Sequence, residues 1–194
     1  MPLFGFAPMT SFLVRRRISL TMALIATTAS FDLFFLRILP LDPLGGTTVN
    51  LTADVVIVVG LFLRAWAAGT IHKWEQLATT GPYAWIRHPL YLGSALILVG
   101  CWGLMHGPLF ALALAPLTFI YGLAIRQEES YCARRYGNQW LDYADRVPSF
   151  FPPRIGWPQF GDWSLKQALF NREHLVWFGA FCGLLALAGW RVAL

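Results

Sequence analysis

Two short stretches of this chain carry side chains from which chemistry can be built. The first is Gly81-Pro82-Tyr83-Ala84-Trp85-Ile86-Arg87-His88-Pro89-Leu90-Tyr91-Leu92-Gly93, which sets an imidazole and two phenols among prolines and glycines; the second is the carboxylate pair Glu128-Glu129. Imidazole and carboxylate groups move protons or hold ammonium and hydroxyl groups, and aromatic faces attract cations. Taken singly, each residue also has an ordinary reading. A carboxylate pair is more often a solvated charge where a helix ends, and His88 before Pro89 can simply cap a helix. Trp66, Trp74, Trp85 and Trp102, with Tyr83 and Tyr91, suit an interfacial aromatic belt. The order of the two stretches, and what separates them, is what raises their weight.

Between them lies Pro89 to Ile125, 37 consecutive residues without Asp, Glu, Lys or Arg, broken near the middle by His106, Gly107 and Pro108. A membrane helix needs about 20 mostly apolar residues, so this run predicts two helices joined by a tight hairpin. Such a hairpin returns Glu128 and Glu129 to the level of His88 and Tyr91. Three further apolar segments are Ile18 to Leu36, which contains Asp32; about Val49 to Gly69, which contains Asp54 and Arg64; and Leu175 to Trp190, flanked by Glu173, His174 and Arg191. Arg15, Arg16 and Arg17 precede the first of these as they would a signal peptide, but the apolar run continues through Phe31 and Phe35, which favours a membrane anchor. Asp54 and Arg64 lie about three turns apart on one helix, too far to pair, so Arg64 is expected to snorkel or face protein, where it could meet an anionic head group. After the hairpin, Arg126 to Tyr136 prolongs the fourth helix, Gly137 breaks it, and Asn138 to Arg146 forms a short helix before Pro148, Pro152 and Pro153.

Composition points the same way. Hydrophobic residues make up 57% of the 194 and charged residues 13%, with a mean hydropathy of +0.54, whereas a soluble domain usually carries about 25% charged residues. The expected fold is therefore all-α: a polytopic membrane helix bundle of about five transmembrane helices with a cytoplasmic cap of short helices, in one domain. The net charge of +5 is scattered between apolar runs, which excludes a nucleic-acid partner. Cys101, Cys132 and Cys182 are odd in number and widely spaced, so neither a disulfide framework nor a metal site is expected. With the amino terminus inside, 13 of the 15 basic residues fall on the cytoplasmic side and only Arg37 and Arg191 outside. The expected location is a bacterial inner membrane, with the active site facing the cytoplasm.

The Gly81 to Gly93 stretch, the hairpin, Glu128-Glu129, and then Tyr136-Gly137 and Tyr143 together resemble the isoprenylcysteine carboxyl methyltransferase and phospholipid N-methyltransferase family of integral membrane enzymes. Lys73-Trp74-Glu75-Gln76-Leu77 upstream is similar to the family pattern as well. The resemblance covers about residues 55–153, leaving an N-terminal helix and loop (1–54) and a C-terminal extension with the last helix (154–194) outside it. It implies S-adenosylmethionine as the methyl donor, bound by Glu75, Gln76, Leu77, Ala78, Tyr83, His88, Pro89, Leu90, Tyr91 and Glu128. It also implies a lipophilic or lipid acceptor that stays in the membrane. Arg126 and Glu129 are the candidate catalytic residues. No Gly-x-Gly-x-x-Gly loop follows a strand, which excludes a Rossmann-type architecture. Carboxyl methyltransferases of the family carry an arginine four positions before the first glutamate; here that position is Ala124. Arg126 lies about 200° around the helix from Glu128. The acceptor therefore stays open between a prenylcysteine-like carboxylate and a lipid amine. A non-enzymatic membrane protein, such as a small transporter subunit or assembly factor, would explain the helices but not the ordered motifs.

Overall fold

The computed structural model describes residues 12–14, 16–36, 47–72, 75–105, 107–151 and 163–192, and every regular element among them is helical. In chain order these are α1 (Arg17–Phe34), α2 (Thr48–Thr70), a 3-10 turn (Gly81–Ala84), α3 (Pro89–Met105), α4 (Pro108–Tyr136), α5 (Asn138–Arg146), α6 (Leu165–Phe170) and α7 (Glu173–Val192). His106 at the predicted hairpin, Lys73-Trp74, and Pro152-Pro153 lie outside the described residues. The predicted helices are present with shifts of one or two residues at most of their ends. Local chemistry explains the boundaries: Thr47 caps α2 by accepting from the Asn50 N–H at 3.3 Å. Pro89 opens α3, where a missing N–H costs nothing, and Gly137, with φ of 54°, separates α4 from α5.

By length and composition, Thr48–Thr70 is the helix among the described residues long and apolar enough to cross a membrane; Ser19–Phe34, Pro89–Met105 and Glu173–Ala186 are apolar but shorter. The chain divides into two compact units, Met1–Pro40 with Met105–Tyr131, and Leu41–Leu104 with Cys132–Leu194.

The first unit is held by α1 and α4. Asp32, the charge inside the first apolar segment, is fully buried and accepts from the Leu109 N–H at 3.3 Å, so it satisfies a backbone donor left open at the start of α4. Gly107 leaves room for that carboxylate: a Cβ there would run into Asp32. At the other end of α1, Thr21 donates to the Tyr121 hydroxyl at 3.4 Å.

The second unit is built on a close crossing of α2 and α3. A Cβ on Gly60 would lie 2.7 Å from the Gly93 carbonyl oxygen, and one on Gly100 would lie 2.7 Å from that of Ala53. Small residues thus let the two backbones touch, as at helix interfaces within membranes. Ala53, Ile57, Leu61 and Leu104 form the buried core, and Val176, Ala180 and Leu184 of α7 pack against it. The last helix, outside the span of the family resemblance, is therefore part of the central packing. Outward faces are as apolar as this core: Val58 and Phe62 on α2, and Phe178 and Phe181 on α7, are exposed.

Candidate active site

The Gly81 to Gly93 stretch folds as a turn that feeds α3, and its parts are fixed from several sides. Gly81, with φ of 59°, starts the 3-10 turn in a conformation that favours glycine. Trp85 meets Trp66 of α2 edge to face, with centroids 5.2 Å apart. Tyr83 is buried, and its carbonyl accepts from the Tyr143 hydroxyl at 2.8 Å. Burial pushes the Tyr143 phenol well above its usual range, with Arg87 opposing and Cys132 adding to the shift, so Tyr143 stays a neutral donor at any physiological pH.

Arg87 braces the turn against α5 and the chain that follows it. One terminal nitrogen donates to the Ala144 and Val147 carbonyls at 2.7 and 3.0 Å, and the other to Ser149 Oγ at 2.7 Å. Its guanidinium also lies 5.9 Å from the centre of the Trp140 ring. A cation at the last carbonyls of a helix is doubly placed, satisfying orphan acceptors and the helix dipole. The backbone repeats the connection, Arg87 N–H to the Pro148 carbonyl at 2.9 Å and His88 N–H to that of Ser149 at 3.2 Å.

His88 does cap α3, through its backbone: its carbonyl accepts from the Leu92 N–H at 3.1 Å. The imidazole is buried, with its ring 5.9 Å from that of Tyr91 and 5.9 Å from that of Phe150. Pro89 is buried, whereas Leu90 and Tyr91 are half-buried. The Leu90 carbonyl accepts from Arg64 Nη1 at 3.2 Å and from Ser94 Oγ at 2.9 Å. Arg64 also donates to Ser94 Oγ, and its Nε and Nη2 each donate to a Glu173 carboxylate oxygen at 3.0 Å. Of the two expectations for Arg64, snorkelling or facing protein, the second holds, and a free anionic head group is not what it meets: most of its donors are engaged inside the protein, because Gly93 clears the path across α3 and Glu173 supplies the opposite charge.

Glu75 and Gln76 stand exposed just beyond the end of α2, and Leu77 and Ala78 are half-buried. The end of α2 is itself held in place. Asn171 Nδ2 donates to the Ala68 and Ile71 carbonyls at 2.8 and 3.0 Å, and Gln167 Nε2 donates to that of Ile71 at 2.8 Å. The Ser164 N–H donates to the Gly69 carbonyl at 3.0 Å. These bonds satisfy carbonyls that a helix end leaves without intrahelical partners.

The structure thus gathers Tyr83, His88, Pro89, Leu90 and Tyr91 in the second unit, with Glu75 to Ala78 at the end of α2. Arg126, Glu128 and Glu129 belong to the first unit, on α4, where Arg126 is exposed and the two glutamates are half-buried. The second unit's own donor set suits S-adenosylmethionine chemically: the Glu75 carboxylate for an ammonium or ribose hydroxyls, the Gln76 amide, and the rings of His88 and Tyr91 for a sulfonium or an adenine. Sequence reasoning did not identify the bracing roles of Arg87, Tyr143, Arg64 and Glu173. For Arg87 the available signal was its place directly before His88-Pro89; for Glu173 there was none beyond a charge at a helix end.

Comparison with known proteins places these residues among relatives. The phospholipid methyltransferase family model matches residues 47–139, which include both the Gly81 to Gly93 stretch and the glutamate pair. The chain is 31% identical over 198 residues to the nickel-cobalt-cadmium resistance protein NccN of Alcaligenes xylosoxydans xylosoxydans, covering 95% of this chain and 82% of that one. It is 36% identical over 79 residues to protein-S-isoprenylcysteine O-methyltransferase B of Arabidopsis thaliana, 40% of each chain. The human protein-S-isoprenylcysteine O-methyltransferase is 25% identical over 155 residues, 73% of this chain and 54% of that enzyme. No solved structure matches.

Proposed function

Because the chain belongs to the phospholipid methyltransferase family and is similar to isoprenylcysteine methyltransferases, we propose that it transfers a methyl group from S-adenosylmethionine to a lipophilic acceptor embedded in the membrane. The observation that carries this reading is the braced turn at the start of α3. Its imidazole and phenol sit together within the span matched by the family, and bonds from Arg87, Tyr143 and Arg64 fix the backbone around them.

S-adenosylmethionine, when bound, supplies a methyl group on a sulfonium, which the acceptor's lone pair takes as the carbon–sulfur electrons pass to sulfur. The protein's work is then alignment and exclusion of water. In this reading Glu75 and Glu128 hold the ammonium and ribose hydroxyls, the Gln76 amide meets the carboxylate, and His88 and Tyr91 offer their rings, while Pro89, Leu90, Leu77 and Ala78 form apolar wall. Tyr83 contributes as buried support. An amine acceptor gives up a proton, for which Glu129 is the base or the path to water; a carboxylate acceptor is held by a cation, for which Arg126 stands exposed.

The proposed setting is five crossings, by α1, α2, α3, the apolar part of α4, and α7, with the amino terminus and the active site on the cytoplasmic side of a bacterial inner membrane. The apolar outer faces of α2 and α7 support it, as does the distribution of basic residues. A second reading is favoured by one finding: NccN and the similar cobalt-zinc-cadmium resistance protein CzcN of Cupriavidus metallidurans, 34% identical over 121 residues, are named for metal resistance. In that reading the chain is a non-enzymatic membrane subunit. Purified protein incubated with methyl-labelled S-adenosylmethionine and a total lipid extract separates the two. Label in an extracted lipophilic product is expected, and its absence together with no S-adenosylhomocysteine binding would favour the subunit.

A further inference from the structure

The C-terminal extension lies outside the span matched by the family, yet Glu173 links it through Arg64 to the start of α3. Glu173 is buried in the first turn of α7, where the helix dipole favours a carboxylate. Arg172, immediately before it, takes a left-handed conformation with φ of 60°, which is uncommon for a residue with a side chain and is retained here where α6 turns into α7. That turn brings both Glu173 oxygens onto Nε and Nη2 of Arg64 at 3.0 Å, a two-point contact that fixes the plane of the guanidinium. The remaining terminal nitrogen is thereby aimed at the Leu90 carbonyl and Ser94 Oγ. Leu90 is the second residue of α3, two after His88 and one before Tyr91. Room for this path is built in, since a Cβ on Gly93 would lie 2.6 Å from Arg64 Cγ.

We propose that Glu173 is a positioning residue for the cofactor segment: by locking the Arg64 guanidinium it holds the Leu90 carbonyl and sets the direction in which His88 and Tyr91 leave the first turn of α3. The inference rests on the methyltransferase reading above and adds to it a role for the last helix. A plain structural ion pair between α2 and α7 would need the two charges only. Positioning needs a donor on α2 that also reaches Leu90.

The test uses full-length protein in detergent, with S-adenosylhomocysteine binding measured by calorimetry, helix content by circular dichroism and unfolding by heat. Glu173→Gln, which keeps the side chain's size and one acceptor oxygen, is expected to remain folded and to bind S-adenosylhomocysteine roughly tenfold more weakly, in line with the loss of one charge-assisted bond. The exchange of Arg64→Glu with Glu173→Arg restores opposite charges. It is expected to recover thermal stability without recovering affinity, because a glutamate cannot donate to the Leu90 carbonyl. Wild-type affinity in Glu173→Gln, or recovery of affinity together with stability in the double exchange, would overturn the inference while leaving the methyltransferase reading in place. No binding by the wild-type protein would overturn that reading and this inference with it. If the double exchange does not fold, the Glu173→Gln result decides alone.

Discussion

Arg87 and His88 are neighbours that serve different ends, and substitution should tell them apart. Arg87 makes three side-chain hydrogen bonds to residues 144–149, so Arg87→Ala is expected to lower stability by about 3 kcal/mol, read from thermal unfolding in detergent. His88→Ala and Glu128→Gln are expected to leave the fold intact and weaken S-adenosylhomocysteine binding roughly ten- to hundredfold; unchanged affinity in both by calorimetry would put the cofactor elsewhere. Tyr143 adds a pH dependence. Its phenol is held above its unfolded value by burial, so the folded state keeps a proton that the unfolded chain gives up. The associated stability is present below about pH 10, the ordinary tyrosine value, and declines as pH rises above it. Tyr143→Phe should flatten the alkaline limb of a stability–pH profile and remove about 1 kcal/mol at neutral pH. At this scale the sequence was half legible. The ordered motif singled out His88, Tyr91 and the glutamates because residue type and the order of short stretches can be read along the chain. The nearest hydrogen-bond partner of the Arg87 side chain and the counter-charge of Arg64 lie 57 and 109 residues away, and no periodicity or composition links residues across such distances.

The helices were the most legible level, because apolar length, Pro89, Gly107-Pro108 and Gly137 mark their ends through backbone chemistry that acts within a few residues. What escaped was how the elements are fastened. α6 was not anticipated, being six residues long; its Gln167 fastens it to the end of α2 while Leu165, Leu169 and Phe170 stay exposed, and Asp32, noted only as a charge in an apolar run, caps α4. The tight crossing of α2 and α3 gives an element-level prediction. Gly93→Ala brings a methyl group to 2.8 Å from the Gly60 carbonyl oxygen, so it is expected to lower the melting temperature, with a cost in the range of about 1 to 3 kcal/mol for overpacking. Gly179→Ala, on α7, meets nothing within 4 Å and should be neutral or slightly stabilising. Equal melting temperatures for the two variants would show that the helices can separate without cost.

For the molecule as a whole, the exposed apolar faces of α2 and α7 and the distribution of basic residues along the sequence underlie the proposed topology. Cysteines placed at Gln139 and at Arg191 are expected to react with membrane-impermeant reagent from opposite sides of the membrane; labelling of both from one side would refute five crossings. The same arrangement bears on the acceptor. A substrate whose tail stays in lipid avoids an extraction cost of about 0.8 kcal/mol per CH₂, so turnover is expected to be higher with long-chain acceptors than with short soluble analogues at equal concentration. Whole-molecule composition made the membrane legible. It gave no sign that the described helices would divide into two compact units.

The pairing of Arg64 with Glu173 has a consequence for how the protein is made. Ribosomal synthesis delivers α2 to the bilayer more than a hundred residues before the first turn of α7 emerges, so in the proposed topology Arg64 enters the membrane without its counter-charge. A lone arginine at mid-helix costs about 2.5 to 3.5 kcal/mol on insertion scales, less near a helix end. Through most of translation, therefore, α2 is a poorly settled segment, and the chain reaches its stable packing only when the last helix arrives. Chains interrupted before residue 173 should be recognised by membrane proteases as unfinished, and in a pulse-chase experiment they should be degraded faster than full-length protein. Substituting Arg64→Leu in the truncated chain should slow that degradation, since it removes the charge left waiting.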